Sequence, residues 1–239
     1  MIKALLFDFD GLIMDTESPI VEAWQAIYAE VGQEFPLQAW IRAVVGTSTS
    51  NFDAAAHLAT VTGRSLDLAA LHARANAYRL EKQATLAALP GVNEYMKEAK
   101  RLGLRLAVVS SSKHAWADGY LRQLGLFDVF EIILCRENVK RIKPEPDLFL
   151  AALEALEIRA DEALVFEDSP NGILAARWAG IRVVAVPNPI TVHAPVEGAD
   201  LLLASLAAMP LEALLIRFNP DKDGEGGRAE AQIRPLPAR

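Results

Sequence analysis

Several features that define common protein classes are missing from this chain of 239 residues. It has a single cysteine, Cys135, so neither an intramolecular disulfide framework nor a CxxC metal site can form. Basic residues are not in excess, because 24 Lys and Arg stand against 31 Asp and Glu, and the formal net charge is −7. This balance argues against a nucleic-acid partner. A negatively charged substrate would need local cations or a metal, because the overall field repels it.

Long hydrophobic runs are also missing. The apolar segment at the start, MIKALLF, is interrupted at once by Asp8 and Asp10, so it fits neither a signal peptide nor a membrane span. Hydrophobic residues nevertheless make up 52% of the chain, which is enough for a sizeable core. We therefore expect a soluble, cytoplasmic protein without a membrane partner, present as a monomer or weak dimer.

Short apolar segments that suit buried strands alternate with segments of helical periodicity. The predicted strands are residues 3–7, 104–109, 131–135, 163–167 and 182–186, with a short sixth at 201–203. Each is rich in Val, Ile or Leu, and most are followed by polar or turn residues. Regular alternation of strands and helices predicts an α/β fold with a parallel sheet and helices on both faces.

A long helical segment interrupts this alternation between the first two strands. Ser18–Pro19 suits a helix cap followed by the first helical residue, and Trp24, Ile27 and Tyr28 recur on one face of the helix that follows. Three more helices are predicted, the last from about residue 66 towards 89. We expect a core domain of residues 1–16 and 83–218, a helical cap of residues 17–82 over the sheet, and a polar tail at 219–239.

Chemically active side chains follow four successive strands. They are Asp8 and Asp10 after the first, Ser110, Ser111 and Ser112 after the second, Lys143 in the loop after the third, and Glu167 and Asp168 after the fourth. Open parallel sheets bind ligands at the carboxyl ends of their strands, so we expect these groups to converge. Each pattern alone also suits a turn, a helix cap or a solvated loop. Their occurrence in order, each after its own strand, favours a site.

The chemistry of this set is coherent. Several carboxylates in one cleft repel each other unless a cation neutralises them, and hard oxygen ligands beside a phosphate indicate Mg²⁺. Asp8 can attack phosphorus and form an aspartyl-phosphate, while Asp10 can protonate the leaving oxygen and then activate water. Ser110 and Lys143 can stabilise the phosphoryl oxygens.

The strings that carry these residues resemble four motifs of a known family. DFDGLIMDT (8–16), VVSSS (108–112), KPEPDLF (143–149) and FEDSPNGILAA (166–176) look like the motifs of the haloacid dehalogenase (HAD) superfamily. The resemblance runs from about residue 1 to about residue 217. It is to the branch with a helical cap after the first motif, which contains the β-phosphoglucomutase-like phosphatases. It implies a Rossmann-like HAD core with an inserted α-helical cap.

The resemblance also implies roles for individual residues. Asp8 resembles the nucleophile and Asp10 the general acid/base, and both contribute to the metal site, Asp10 through its backbone carbonyl. The other implied residues are the Mg²⁺ ligands Glu167 and Asp168 and the phosphate-binding set of Gly11, Ser110, Ser111 and Lys143. The implied reaction is hydrolysis of a small phosphorylated metabolite, with specificity set by the cap loop at 46–50.

Other reactions of the family fit less well. Asp10 argues against dehalogenation, and the absence of lysine from residues 17–81 disfavours phosphonate hydrolysis through a Schiff base. The cap loop has no arginine and residues 17–20 have no histidine, which favours a phosphatase over a β-phosphoglucomutase-type phosphomutase. The phosphomutase stays open as an alternative, as does a phospho-aspartate receiver or binding protein without turnover. His114 is either a substrate contact or a residue of a first helical turn.

Overall fold

The computed structural model describes residues 1–44 and 52–219, and in them the chain forms one six-stranded parallel sheet. The strands are β1 (Ala4–Phe7), β2 (Arg105–Val109), β3 (Ile132–Leu134), β4 (Ala163–Glu167), β5 (Arg182–Ala185) and β6 (Leu201–Leu202). Their order across the sheet is β3-β2-β1-β4-β5-β6, and each adjacent pair is parallel. The predicted α/β class is confirmed.

The strand order positions the ends of three strands side by side. β1 pairs with β2 on one side and with β4 on the other, with Phe7 opposite Val108 and Phe166. The chain order reverses at β1, and such a switch point in an open α/β sheet leaves a crevice at the carboxyl ends of the strands. The residues that follow β1, β2 and β4 therefore border one crevice.

The two faces of the sheet carry separate apolar clusters, because side chains alternate along each strand. The helices that cover the sheet are α5 (Val92–Arg101), α6 (His114–Gln123), α7 (Asp147–Ala155), α8 (Pro170–Trp178) and α9 (Leu211–Phe218). Leu5 and Phe7 point to the side covered by α5, α6 and α9, whereas Ala4 and Leu6 point to α7 and α8.

A third apolar cluster lies mostly in the segment between β1 and α5, and Ile190, after β5, joins it. The helices of this segment are α1 (Ser18–Ala29), α2 (Leu37–Val44), α3 (Ala54–Thr62) and α4 (Leu68–Gln83). Trp24, Tyr28 and Leu58 lie at its centre, and the buried hydroxyl of Tyr28 donates to the carbonyl oxygen of Ala54 at 2.7 Å. A cluster apart from the two that flank the sheet supports the division into core and cap, which stays a prediction.

Two helix ends differ from those predicted. Ser18 is not the cap of α1; instead the Asp15 carboxylate accepts a hydrogen bond from the Ser18 amide at 2.9 Å. The fourth helix ends at Gln83 and does not continue towards residue 89, because the chain turns back to the core, where the Leu89 amide donates to the Ile13 carbonyl at 2.8 Å. The predicted specificity loop at 46–50 and nearly all of the tail, after Asn219, lie outside the described residues.

Candidate active site

Asp8 lies at the centre of the crevice, immediately after β1. Its amide donates to the Phe166 carbonyl at 3.0 Å, and the rings of Phe7 and Phe166 stack with centroids 4.7 Å apart. The end of β1 is therefore held against the end of β4. Burial raises the pKa of the Asp8 carboxyl well above its usual range, and the nearby Glu167 and Asp10 raise it further, against the lowering effect of Lys143.

Lys143 supplies a buried positive charge beside Asp8. Its Nζ donates to the Val109 carbonyl at 2.7 Å, to Glu167 Oε1 at 2.6 Å and to Asp8 Oδ1. Burial alone would disfavour the ammonium, but the attraction of Asp8 and Glu167 outweighs it and raises the pKa of Lys143. The lysine predicted from the loop after the third strand thus stays charged where a phosphoryl group would need a cation.

Three carboxylates gather around this lysine. Oxygen atoms of Asp8, Glu167 and Asp168 all lie within 4.8 Å of one another, and the three side chains are buried. Burial raises the pKa of Asp168 well above its usual range, and the charges of Glu17, Glu167 and Asp8 add to this effect. Oxygen donors with more negative charge than one lysine can offset fit a hard divalent cation such as Mg²⁺.

Glu167 also accepts hydrogen bonds from the two residues that follow it. Its Oε2 accepts hydrogen bonds from the Asp168 amide at 3.2 Å, the Ser169 amide at 3.2 Å and the Ser169 hydroxyl at 3.1 Å. A Cβ at Gly172 would lie 1.8 Å from the Glu167 carboxylate, so only glycine leaves room for it. Glu167 therefore orients Lys143, and its role as a metal ligand stays a prediction.

Asp10 is held by three side-chain donors. The Thr16 hydroxyl and the Trp116 indole N–H both donate to its Oδ1 at 2.8 Å, and the Ser112 hydroxyl donates to Oδ2 at 2.6 Å. The sequence predicted Asp10 but none of these contacts. Ser112 and Thr16 stand within the motifs, whereas Trp116 lies in α6 and is marked by nothing in the sequence beyond its closeness to the serine run.

The serines after β2 border the open space above Asp8. The cavity has a volume of about 290 Å³, which suits a small ligand. It is lined by Asp8, Asp10, Thr16, Glu17, Ile20, Trp40, Val44, Ser110, Ser111, Ser112, Trp116, Lys143, Asp168 and Ser169. Ser110 Oγ accepts from the Ser112 amide at 3.0 Å. Ser111 Oγ is buried and has no hydrogen-bond partner among the described residues, so its hydroxyl is available to donate to an anionic oxygen.

Gly11 permits the close approach of the chain to Asp168. Its φ is +79°, and a Cβ there would lie 2.3 Å from Asp168 Oδ2 and 2.4 Å from Asn188 Nδ2. Asn188 Nδ2 lies 2.9 Å from Asp168 Oδ2 and 3.2 Å from the Gly11 carbonyl oxygen. The glycine predicted from the first motif thus shapes the carboxylate side of the crevice.

Glu17 is a site residue that the sequence did not single out. Its Oε2 accepts a hydrogen bond from Asn188 Nδ2 at 2.8 Å, and its side chain lines the cavity. Burial raises the pKa of Glu17 to about 7, against the lowering effect of the Asn188 hydrogen bond, and the charges of Asp10 and Asp15 add to the rise. Its position directly after DFDGLIMDT is the only sequence signal that could have found it.

His114 does not line this cavity. It begins α6, as the alternative interpretation expected, and its ring nitrogens lie 3.2 Å from Asp118 Oδ1 and 2.8 Å from Asn138 Oδ1. His114, Asp118 and Cys135 form a second group of possible metal ligands in the described chain. Both ring nitrogens already face oxygen acceptors, so hydrogen bonding accounts for the arrangement.

A larger cavity lies on another part of the core, between α5 and α9, with a volume of about 760 Å³. Its polar lining includes Glu94, Glu98 and Glu212, and it contains none of the residues gathered around Asp8. The smaller cavity is therefore the candidate active site. No helix in residues 1–44 and 52–219 is long and apolar enough to cross a membrane.

Asp8, Lys143 and Asp168 thus lie together at the switch point of the sheet, in the arrangement that the resemblance to the haloacid dehalogenase superfamily implies. Comparison with known proteins agrees: residues 5–186 match the family model described as haloacid dehalogenase-like hydrolase. The chain therefore belongs to the haloacid dehalogenase-like hydrolase family, and it is an enzyme of the phosphatase branch.

Similar proteins support this assignment. The chain is 42% identical over 92% of its length to "Putative phosphatase YhcW" of Bacillus subtilis, covering 99% of that protein. It is 33% identical over 76% of its length to fructose-1-phosphate phosphatase YqaB of Escherichia coli, covering 95% of that protein. A HAD family hydrolase from Deinococcus radiodurans, crystallised with phosphate and sodium, superposes with a TM-score of 0.73 at 28% identity, over 91% of this chain and 96% of that one.

Proposed function

We propose that this phosphatase hydrolyses small phosphate monoesters in a Mg²⁺-dependent reaction that passes through an aspartyl-phosphate on Asp8. The observation that carries the proposal is the contact of buried Lys143 with Asp8 at the floor of the cavity, beside the carboxylate of Asp168. A nucleophile, a fixed positive charge and a cation site are what phosphoryl transfer requires.

In the first step a carboxylate oxygen of Asp8 forms a bond to phosphorus while the bond to the ester oxygen breaks. Asp8 must be ionised to attack, and its raised pKa means that burial opposes this. Lys143 favours the ionised form and also faces the phosphoryl oxygens. Mg²⁺, held by Asp8, Asp168, Glu167 and the Asp10 backbone carbonyl, would supply further positive charge to the phosphoryl group.

Asp10 would give its proton to the departing alcohol and then take a proton from the water that hydrolyses the aspartyl-phosphate. Its carboxylate lies at the cavity wall, where hydrogen bonds from Thr16, Ser112 and Trp116 fix its direction. The hydroxyls of Ser110 and Ser111 and the neighbouring backbone amides would bind the phosphoryl oxygens, and Ser111 Oγ has a free hydrogen-bonding capacity for this purpose.

Hydrolysis is favoured over phosphomutase activity by the wall that the cap segment contributes to the cavity. Ile20 lines the cavity from the segment in which a mutase-like chain would carry a histidine, and Trp40 and Val44 extend the same wall. Among the described residues that line the cavity from the cap, this wall offers apolar contact and no cation for a second phosphate. The lining therefore favours a monophosphate, and the name of the Escherichia coli relative supports a sugar or polyol monophosphate as the proposed substrate class. A cytoplasmic location and a monomeric or weakly dimeric state stay predictions from composition.

The aspartyl-phosphate can be tested directly. Wild type, Asp8→Asn and Asp10→Asn are mixed with p-nitrophenyl phosphate and Mg²⁺, quenched in acid and measured by intact-protein mass spectrometry. We expect part of the wild-type protein to carry one added phosphoryl group. The phosphorylated fraction should be larger in Asp10→Asn, because activation of the water is slowed. Asp8→Asn should carry none, and an equal phosphoryl content in Asp8→Asn would contradict the assigned nucleophile.

A further inference from the structure

A tryptophan outside the four motifs holds the acid/base Asp10. Trp116 Nε1 lies 2.8 Å from Asp10 Oδ1, and both side chains border the cavity. An indole N–H donates one hydrogen bond and accepts none, so it cannot itself exchange a proton with substrate. Its effect on the reaction must pass through Asp10, whose carboxylate it fixes in direction.

The Trp116 indole ring also contacts a residue of the cap. The guanidinium carbon of Arg79, in α4, lies 5.3 Å from the centre of the Trp116 ring, within the range of a cation–π contact. Arg79 Nη1 also donates to Gln83 Oε1 at 2.7 Å, and the Tyr120 hydroxyl donates to the same oxygen at 3.2 Å. The Trp116 and Tyr120 rings meet edge to face at 4.8 Å, so the end of α4 packs on the first two turns of α6.

A second connection joins this contact to Asp10. The buried Gln83 side chain donates through Nε2 to the Thr16 carbonyl at 3.1 Å, and the Thr16 hydroxyl donates to Asp10 Oδ1. The two residues that share Asp10 Oδ1, Trp116 and Thr16, are thus both held by the last turns of α4. A movement of α4 would change the direction of the Asp10 carboxylate.

We infer that Trp116 is a positioning residue for the acid/base Asp10, and that Arg79 of the cap keeps its indole in place. The inference rests on the proposed function, because it concerns the step in which Asp10 protonates the leaving group. In that step the Asp8–phosphorus bond forms, the phosphorus–ester oxygen bond breaks, and the Asp10 proton passes to the ester oxygen. A misdirected Asp10 slows this transfer without affecting phosphate binding.

The test uses two esters that differ in their need for the proton. Fructose 1-phosphate is an alkyl ester whose leaving group is an alkoxide that must be protonated, whereas the leaving group of p-nitrophenyl phosphate is a stabilised phenolate. The kinetic constant to compare is kcat/KM, because it reports the steps up to formation of the aspartyl-phosphate. Trp116→Phe keeps an aromatic ring beside Arg79 but removes the N–H donor to Asp10.

We expect Trp116→Phe to lower kcat/KM for fructose 1-phosphate by about ten- to a hundred-fold, the effect of one hydrogen bond to a charged group, through kcat and not through KM. The value for p-nitrophenyl phosphate should change less than about three-fold, within the scatter of a surface substitution. A matched control is Trp178→Phe, since Trp178 is exposed on α8. Equal losses on both esters, or no loss on the alkyl ester, would overturn the inference.

Arg79→Gln tests the connection to the cap, with Arg74→Gln of the same helix as its control because Arg74 pairs instead with Glu30. We expect the same ester-selective loss, and no additional loss when Arg79→Gln is combined with Trp116→Phe. An Arg79→Gln enzyme with wild-type values on both esters would remove Arg79 from the inference.

Asp10→Asn is measured in parallel: if it hydrolyses fructose 1-phosphate normally, the proposed function itself fails. If it is slow and Trp116→Phe is not, only the role of Trp116 fails.

Discussion

Glu17 offers a quantitative test of the electrostatics of the site. This carboxylate is half-buried, accepts a hydrogen bond from Asn188 at 2.8 Å and faces the charges of Asp10 and Asp15. Glu17→Gln keeps the shape and an oxygen acceptor for Asn188 but cannot ionise. The substitution therefore removes the cost of a buried negative charge and little else.

The magnitude follows from the pKa of Glu17, which rises from 4.5 to about 7 on folding, first through burial and then through neighbouring acids. A difference of about 2.5 pKa units corresponds to about 3 kcal/mol in the free energy of unfolding. Between pH 4.5 and 7 the native state binds more protons at this site than the unfolded chain does. Its contribution to the free energy of unfolding therefore falls as the pH rises through this window.

The assay is urea unfolding at pH 5, 6, 7 and 8 in the presence of EDTA, so that bound metal does not mask the repulsion. We expect Glu17→Gln to become more stable than wild type as the pH rises, by up to about 3 kcal/mol at pH 8. Glu34→Gln serves as the control, since Glu34 is exposed in the loop before α2. A stability difference between Glu17→Gln and wild type that is independent of pH, or that reverses sign, would refute the reasoning.

Two further substitutions test neighbouring parts of the site. Gly11→Ala should destabilise the fold by more than the roughly 1–2 kcal/mol that a left-handed residue costs, because its Cβ would meet Asp168. Gly32→Ala, with φ +70° and open space around it, should cost only that amount in the same denaturation assay. Lys143→Met should lower kcat by about 10²–10³ and destabilise the protein by about 3–5 kcal/mol, because Glu167 loses its buried partner. Steady-state kinetics and urea unfolding measure both effects, and a stable, active Lys143→Met would contradict the assigned role.

The sequence predicted the sheet and the residues at its edge because both depend on local patterns. Short apolar runs mark the strands, and Asp8, Ser110 and Asp168 each follow one directly. Parallel pairing of β1 with β2 and β4 then brings these residues together without any further information. Lys143 lies in a loop, and its convergence on Asp8 could be predicted only from the order of the motifs.

The contacts that the sequence could not predict join segments distant along the chain. Trp116 meets Asp10 across 106 positions, and Asn188 meets Glu17 across 171. Gln83 looked like an ordinary polar residue inside a helix, yet its buried side chain bonds to Thr16 where the chain leaves the core. The contacts of Trp116 and Gln83 depend on the packing of α4 and α6 against each other, and hydrophobic periodicity does not determine which side chains meet there.

The central claim is most directly tested by phosphate release from a panel of small phosphorylated metabolites, measured for wild type and Asp8→Asn with Mg²⁺ and with EDTA. We predict release by wild type that requires Mg²⁺ and is abolished in Asp8→Asn, with sugar or polyol monophosphates among the best substrates. Release that persists at the wild-type rate in Asp8→Asn, or that is unaffected by EDTA, would contradict metal-dependent hydrolysis through an aspartyl-phosphate on Asp8.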